Sequence, residues 1–231
     1  MLEIRNIRYA YDDQTEVLKD LNFTVNRGGF LALVGSEGCG KTTLVHLICG
    51  KLGTQEGQIT LNGVDNSEFS VKNAILSLSR EESLPVFLTG LEYINFLLVM
   101  YKAKLNEAYL KELAAYFSFD SLLHVMIKDY SYGMKKKIQL IAAMLVKPDI
   151  LIIDETLNDM DSDLKEMTLI QLEKYADEGN TIIICSQDLK SLDKVCNRAV
   201  ILYDGTIHLA DQRNKEKEKS GLTKTFEERP Y

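Results

Sequence analysis

No stretch of this 231-residue sequence stays apolar for long. Runs such as "FLLVMY" at 96–101 fall far short of the ~20 residues a membrane-spanning helix needs. The first residues, "MLEIRNIRYAY", carry no charged-then-apolar leader, so no secretory address is expected from them. The four cysteines, Cys39, Cys49, Cys185 and Cys196, form no CxxC pair. A disulfide framework is therefore not expected, and reduced thiols are. Basic charge is also short. A formal net charge of -7 argues against a dedicated nucleic-acid binder, whose affinity comes chiefly from lysine and arginine against phosphates, and leaves room for a local basic spot.

What is present alternates. "FLALV" (30–34), "ILIID" (150–154), "TIIIC" (181–185) and "AVILY" (199–203) are short apolar runs of buried-strand character. Between them the period is helical. Leu44, Leu47 and Ile48 share one face, as do Ile138, Ile141, Ala142 and Leu145. Strands alternating with helices predict an α/β core around a mainly parallel sheet. Near the start, Leu21, Phe23 and Val25 alternate with polar residues, and "QITLNGVD" places the hairpin pair Asn62-Gly63 after another alternating segment. An antiparallel β layer flanking the core is expected there. Residues 85–130 read as a helical insertion, with Thr89 and Glu92 at capping-box spacing. The tail "NKEKEKSGLTKTFEERPY" alternates charges and reads as a solvated helix end or a disordered segment.

The sharpest motif is "GSEGCGKTT", Gly35 to Thr43, which fits G-x-x-x-x-G-K-[ST] between an apolar strand and a helix. Gly35, Gly38 and Gly40 let backbone amides curl around phosphates, together with Ser36, Glu37 and Cys39 between them. Lys41 is expected on the β and γ phosphates, the Thr42 hydroxyl on Mg²⁺, and Thr43 beside them. "ILIIDE" ends a strand on two carboxylates. Asp154 suits the ion, through water, and Glu155 suits polarising the attacking water.

Further on, "YSYGMKKK" (130–137) precedes a helix and stands shortly before the Asp-Glu strand. With this order of motifs the chain resembles the ATP-binding subunits of ABC transporters, in an exporter-like form, over most of 2–207. The resemblance implies a P-loop NTPase core with mainly parallel sheet, flanking antiparallel β layer and inserted helical lobe. Residues 1–212 would form the ATP-binding domain, with the lobe at about 85–147, and 213–231 a charged tail. It implies that Ser131 and Gly133 contact ATP held by the other subunit of a homo- or heterodimer. The three lysines then fall in a solvated, electropositive helix start. Tyr11 in "RYAYDD" stands where the family stacks an aromatic on adenine, with Tyr9 the alternative, and Asp161 in "ETLNDMD" matches the aspartate linking the two sites.

Two positions depart from the family pattern. Arg80 replaces the glutamine after "ILSLS", and Gln187 replaces the histidine after "TIIIC". Gln187 can donate to a phosphate but cannot relay a proton. Arg80 either contacts phosphate or turns toward Glu81 and Glu82. The departures either slow hydrolysis or compensate each other. The resemblance thus implies Mg-ATP hydrolysis coupled to a separate transmembrane permease subunit, on the cytoplasmic face of the membrane. The alternatives are a soluble ABC ATPase without a membrane partner and a degenerate regulatory subunit that binds ATP.

Overall fold

The computed structural model describes residues 1–12, 15–79, 84–188, 192 and 195–210. Arg80 and the charged tail at 213–231 lie outside these described residues. The four apolar runs are strands: β3 (Phe30–Val34), β7 (Ile150–Asp154), β8 (Thr181–Ser186) and β9 (Arg198–Tyr203). Their flat pattern arises because both faces of the sheet are covered. In β3, Phe30, Ala32 and Val34 enter one apolar core while Leu31 and Leu33 enter another. In β7 the division is Leu151 and Ile153 against Ile150 and Ile152, as the period of two requires.

The strands β6 (Ile75–Ser79) and β10 (Thr206–Ala210) complete a six-stranded sheet of order β10-β9-β3-β8-β7-β6. All of its pairings are parallel except β9 with β10. That antiparallel edge is a hairpin turning at Asp204-Gly205, both at positive φ. A second sheet, β2-β1-β4-β5, is antiparallel throughout and consists of β1 (Leu2–Ala10), β2 (Glu16–Val25), β4 (Glu56–Leu61) and β5 (Val64–Asp65). Asn62 at φ 53° and Gly63 at φ 81° make the turn expected between β4 and β5. The second sheet shares its core with helix α1 (Lys41–Ile48) and one face of the main sheet.

The other face carries the helical lobe. After the short helix α2 (Phe69–Lys72), α3 (Gly90–Met100) opens on the expected capping box. The Thr89 amide donates to the Glu92 carboxylate at 2.8 Å, and the Glu92 amide donates to the Thr89 hydroxyl at 3.3 Å. Two more helices follow, α4 (Glu107–Tyr116) and α5 (Tyr132–Val146), and α5 packs against both α3 and α4. Their buried residues, among them Leu113, Phe117 and Ile141, join the same core as Phe30 and Ile153. One apolar cluster therefore holds lobe and sheet together. Truncating a fully buried member such as Ile153 to alanine would cost about 2–5 kcal/mol. The last helix, α6 (Ser162–Asp177), lies between β7 and β8 in the chain and gives Leu164, Leu172 and Tyr175 to the same cluster.

Candidate functional site

Residues 35–43 leave the C-terminal end of β3 and wrap into α1. The turn is built from glycine where nothing else fits. A Cβ on Gly35 would stand 2.5 Å from both the Leu202 carbonyl oxygen and Cys39 Sγ. Gly40, at φ 105°, caps α1 in left-handed geometry and contributes no side-chain hydrogen bond. The first amides of α1 are therefore left for an incoming acceptor, and no acidic residue stands in its first turn. Ser36 and Glu37 lie on the exposed outer turn, and Gly38, at φ 77°, has open space where a Cβ would be.

Lys41 is only 3% exposed, and its ammonium donates to the carbonyls of Gly35 at 3.0 Å and Ser36 at 2.9 Å. It also pairs with Glu155 at 3.0 Å. The two strand ends β3 and β7 thus bring together the P-loop cation and the carboxylate expected to act on water. Glu155 itself is held at φ 53°, a left-handed conformation rare outside glycine, with its amide donating to the Cys185 carbonyl at 3.2 Å. The ammonium and the carboxylate neutralise each other.

Asp154, the last residue of β7, is 4% exposed, and its Oδ1 has no hydrogen-bond partner. Burial pushes its carboxyl above the usual range, against the lowering effect of a hydrogen bond from Thr42 and with a further rise from Glu155. A buried, unpaired carboxylate oxygen beside a threonine hydroxyl suits Mg²⁺, which binds through one or two protein oxygens and completes its shell with water and phosphates. Among the described residues no cluster of three or more His, Cys, Asp or Glu side chains competes for a metal.

Tyr11 is the exposed aromatic of the pair, and Tyr9 is buried beneath it, edge-on at 5.1 Å. The Tyr11 hydroxyl lies 3.1 Å from Thr43 Oγ1, so this ring borders the P-loop helix. Gln187 is exposed and follows Ser186, whose carbonyl accepts from the Gly35 amide at 3.3 Å. That places position 187 beside the start of the P-loop. Asp161 is exposed and caps α6, its carboxylate accepting from the Leu164 amide at 2.8 Å.

Ser131 and Gly133 are elsewhere. Ser131 caps α5, its hydroxyl accepting from the Met134 amide at 3.3 Å, and α5 packs against α3, α4 and β6. Among the described residues, none of the hydrogen bonds joins Ser131 or Gly133 to the P-loop of the same chain. Ser131 and Tyr132 face solvent, and nothing stands within 4 Å of a Cβ built on Gly133.

The model from the "ABC transporter" family matches residues 18–158, which run from β2 through Asp154 and Glu155. This chain belongs to the ABC transporter family. Similar to it is a putative ABC transporter ATP-binding protein of Methanosarcina mazei, 30% identical over 96% of this chain and 79% of that one. So is the uncharacterized ABC transporter ATP-binding protein YdbJ of Bacillus subtilis, 29% identical over 83% of this chain. The chain spans only 63% of the length of that relative. A solved structure described as the ATP binding subunit of an ABC transporter superposes with a TM-score of 0.86 at 25% identity, covering 99% of this chain and 98% of that one. The ABC ATPase fold expected from the motif order is thus the fold observed.

One expectation fails. Of the three lysines of "YSYGMKKK", Lys136 is not solvated, and Lys135 and Lys137 are half-buried. Lys136 is 3% exposed, its ammonium donating to the Ser79 carbonyl at 3.3 Å, and the Lys137 ammonium donates to the Phe117 carbonyl at 3.0 Å. The reason is that Lys136 lies on the face of α5 that continues into the buried stretch Ile138–Val146, while Ser131 and Tyr132 at the start of the helix stay exposed. Lys136 lies on one face with Gln139 and Ala143, a spacing of three and seven that was available in the sequence. Thr156 was also missed. Its buried hydroxyl donates to the Leu78 carbonyl at 3.2 Å and to the Asp154 carbonyl at 3.3 Å.

Proposed function

We propose that this chain binds and hydrolyses Mg-ATP as the ATP-binding subunit of an ABC transporter of exporter-like form, on the cytoplasmic face of a membrane. The observation that carries this reading is the meeting of Lys41 and Glu155, 3.0 Å apart, at an uncapped helix N-terminus with Asp154 beside them. In it, the backbone of 35–43 cradles the phosphates, and Lys41 leaves Glu155 to face them. Glu155, released, accepts a hydrogen bond from the attacking water and orients it in line with the γ-phosphate. Asp154 and Thr42 hold Mg²⁺, which when bound neutralises charge on the phosphate oxygens. Tyr11 offers its exposed face to the adenine.

A second ATP-binding subunit, a copy of this chain or a homologue, presents Ser131 and Gly133 to the same ATP in a head-to-tail pair, and Asp161 lies at the junction. The exposure of Ser131 and Tyr132 and the open space at the Gly133 Cβ position support this arrangement. Residues 1–212 act as one ATP-binding domain, with the lobe at 85–147 inserted. The permease partner docks on the lobe, where Phe87 is 72% and Val99 76% exposed, with Val86, Phe96 and Met100 half-exposed beside them in the chain. Among the described residues no helix is long and apolar enough to cross a membrane, so the translocation path would belong to that partner.

A slow or regulatory subunit is the second reading, favoured by glutamine at 187 where a proton-relaying group is expected. Losing one such positioned group costs on the order of 3 kcal/mol, or about 100-fold in rate. Phosphate release by the purified chain, alone and then with its membrane partner in vesicles, tests both. ATP-dependent turnover that rises with the partner supports the transporter subunit. Tight ATP binding without turnover in either state supports the regulatory reading, and failure to bind ATP rejects both.

A further inference from the structure

Tyr11 offers its ring to a base, yet that ring is 62% exposed and stands just past the end of β1, on the way to β2. An aromatic so placed stacks well only where the backbone beneath it is fixed, because freedom lost on binding weakens binding. Two contacts reach the ring itself: Tyr9, edge-on at 5.1 Å, and Thr43, whose Oγ1 lies 3.1 Å from the Tyr11 hydroxyl. The backbone is held by other means.

The pairing of β1 with β4 ends at Arg8 opposite Glu56. Ala10 lies beyond that last pair, and one side chain engages both of its backbone groups. The Ala10 amide donates to Gln55 Oε1 at 2.9 Å, and Gln55 Nε2 donates to the Ala10 carbonyl at 2.8 Å. A carboxamide carries the same donor and acceptor as a peptide group, so Gln55 adds one more rung to the ladder. On its other side Ala10 pairs with Glu16 of β2. Just after Tyr11, the Asp12 carboxylate accepts from the Thr15 amide at 2.8 Å. Gln55 is exposed, so water would satisfy the same groups in its place and the stability gained is small. What two bonds to one amide provide is geometry. They set the position and direction of the chain one residue before Tyr11. Gln55 itself stands between α1, which begins at Lys41, and β4.

We propose that Gln55 is a positioning residue for the nucleotide base. By clamping Ala10 it holds the Tyr11 ring beside Thr43 and the start of α1, where an adenine stacks on it. The proposal rests on the reading of Tyr11 as the adenine platform. It divides the ligand in two: residues 35–43 set affinity for the phosphates, and Gln55 acts only through the base.

Calorimetric titrations with Mg-ATP and with Mg-tripolyphosphate, which lacks base and sugar, test that division. The chains compared are the parent, Y11A, Q55A and the double variant. Stacking a base on an aromatic side chain is worth about 5- to 150-fold in affinity, so Y11A should weaken ATP binding about 10-fold or more. Q55A loosens the ring without removing it and should weaken ATP binding about 3- to 10-fold. Tripolyphosphate affinity should stay parental in both, and the double variant should bind ATP as Y11A does. If Q55A does not fold, Q55M, which keeps the length without either bond, takes its place under the same criteria. Parental ATP affinity in Q55A beside a weakened Y11A would overturn the role of Gln55. So would equal losses for ATP and tripolyphosphate, or a further loss when Q55A is added to Y11A. Parental ATP affinity in Y11A would instead reject Tyr11 as the base platform, and the proposal would fall with it.

Discussion

The turn at residues 35–43 and the turn at Ser131–Gly133 are in opposite states. The P-loop is closed on itself, with Lys41 buried, bonded to two carbonyls of its own loop and paired with Glu155. The Ser131–Gly133 turn is capped but open, its Ser131 and Tyr132 exposed and its Gly133 facing empty space. One has its buried cation already paired within its own chain. The other stands at the surface, with its Ser131 hydroxyl engaged in capping α5. Such a division suits a protein whose single copy binds nucleotide and whose turnover needs two.

The comparison breaks most easily at Lys41. K41A removes the one buried cation of the cradle, and ATP affinity should fall by about 100-fold or more in a fluorescent-nucleotide titration. Undiminished affinity would reject the closed P-loop as the phosphate site. E155Q acts on the same pair from the other side. Hydrolysis should fall about 100-fold or more, while ATP affinity holds or rises because Lys41 no longer has a carboxylate to leave. Affinity that fell together with rate would show that the ion pair helps to build the site.

Q187H is the next smaller effect. Position 187 follows the Ser186 carbonyl that anchors Gly35, so an imidazole there is placed to act beside the P-loop. Steady-state turnover should rise about tenfold at most, with ATP affinity unchanged. A parental rate would make Gln187 a bystander. The smallest effect is on stability. The Asp154 carboxyl is raised in the folded state, so the native protein holds that proton more tightly than the unfolded chain. Its charge therefore destabilises the nucleotide-free fold above the folded-state pKa, and this penalty fades as pH falls toward the ordinary value of 3.8. D154N should raise the melting temperature by a few degrees at neutral pH, with the gain shrinking in acid. A lower melting temperature at neutral pH would contradict that sign.

Most of the core was legible because its signals are local. "FLALV" and "TIIIC" read as buried strands, and Thr89 with Glu92 announced the start of α3. The P-loop was legible for the same reason, since its glycines, lysine and threonine are contiguous. The fate of Lys136 was not. Three successive lysines read as a charged surface, and only the packing of α3 and α4 against α5 shows that this turn is covered. The ion pair of Lys41 with Glu155 was hidden because it spans 114 residues and depends on the left-handed backbone of Glu155. The parallel order of β3, β8 and β7 brings those strand ends together. A charged side chain thus advertises its type in sequence, while its partner is a property of topology.

The central claim is that the closed turn of one copy works with the open turn of another, and mixing two crippled chains tests it directly. K41A removes one half of the site, and G133D, which places charge in the open turn where a side chain meets nothing within its own chain, removes the other. Each variant alone should be nearly inactive while melting close to the parental temperature. Combined, they should regain hydrolysis, because half of all pairs are mixed and each mixed pair has one of its two sites with an intact P-loop and an intact facing turn. About a quarter of the parental rate is expected if sites act independently, a value that follows from random pairing. A mixture no more active than its separate components would contradict a site shared between two copies of this chain.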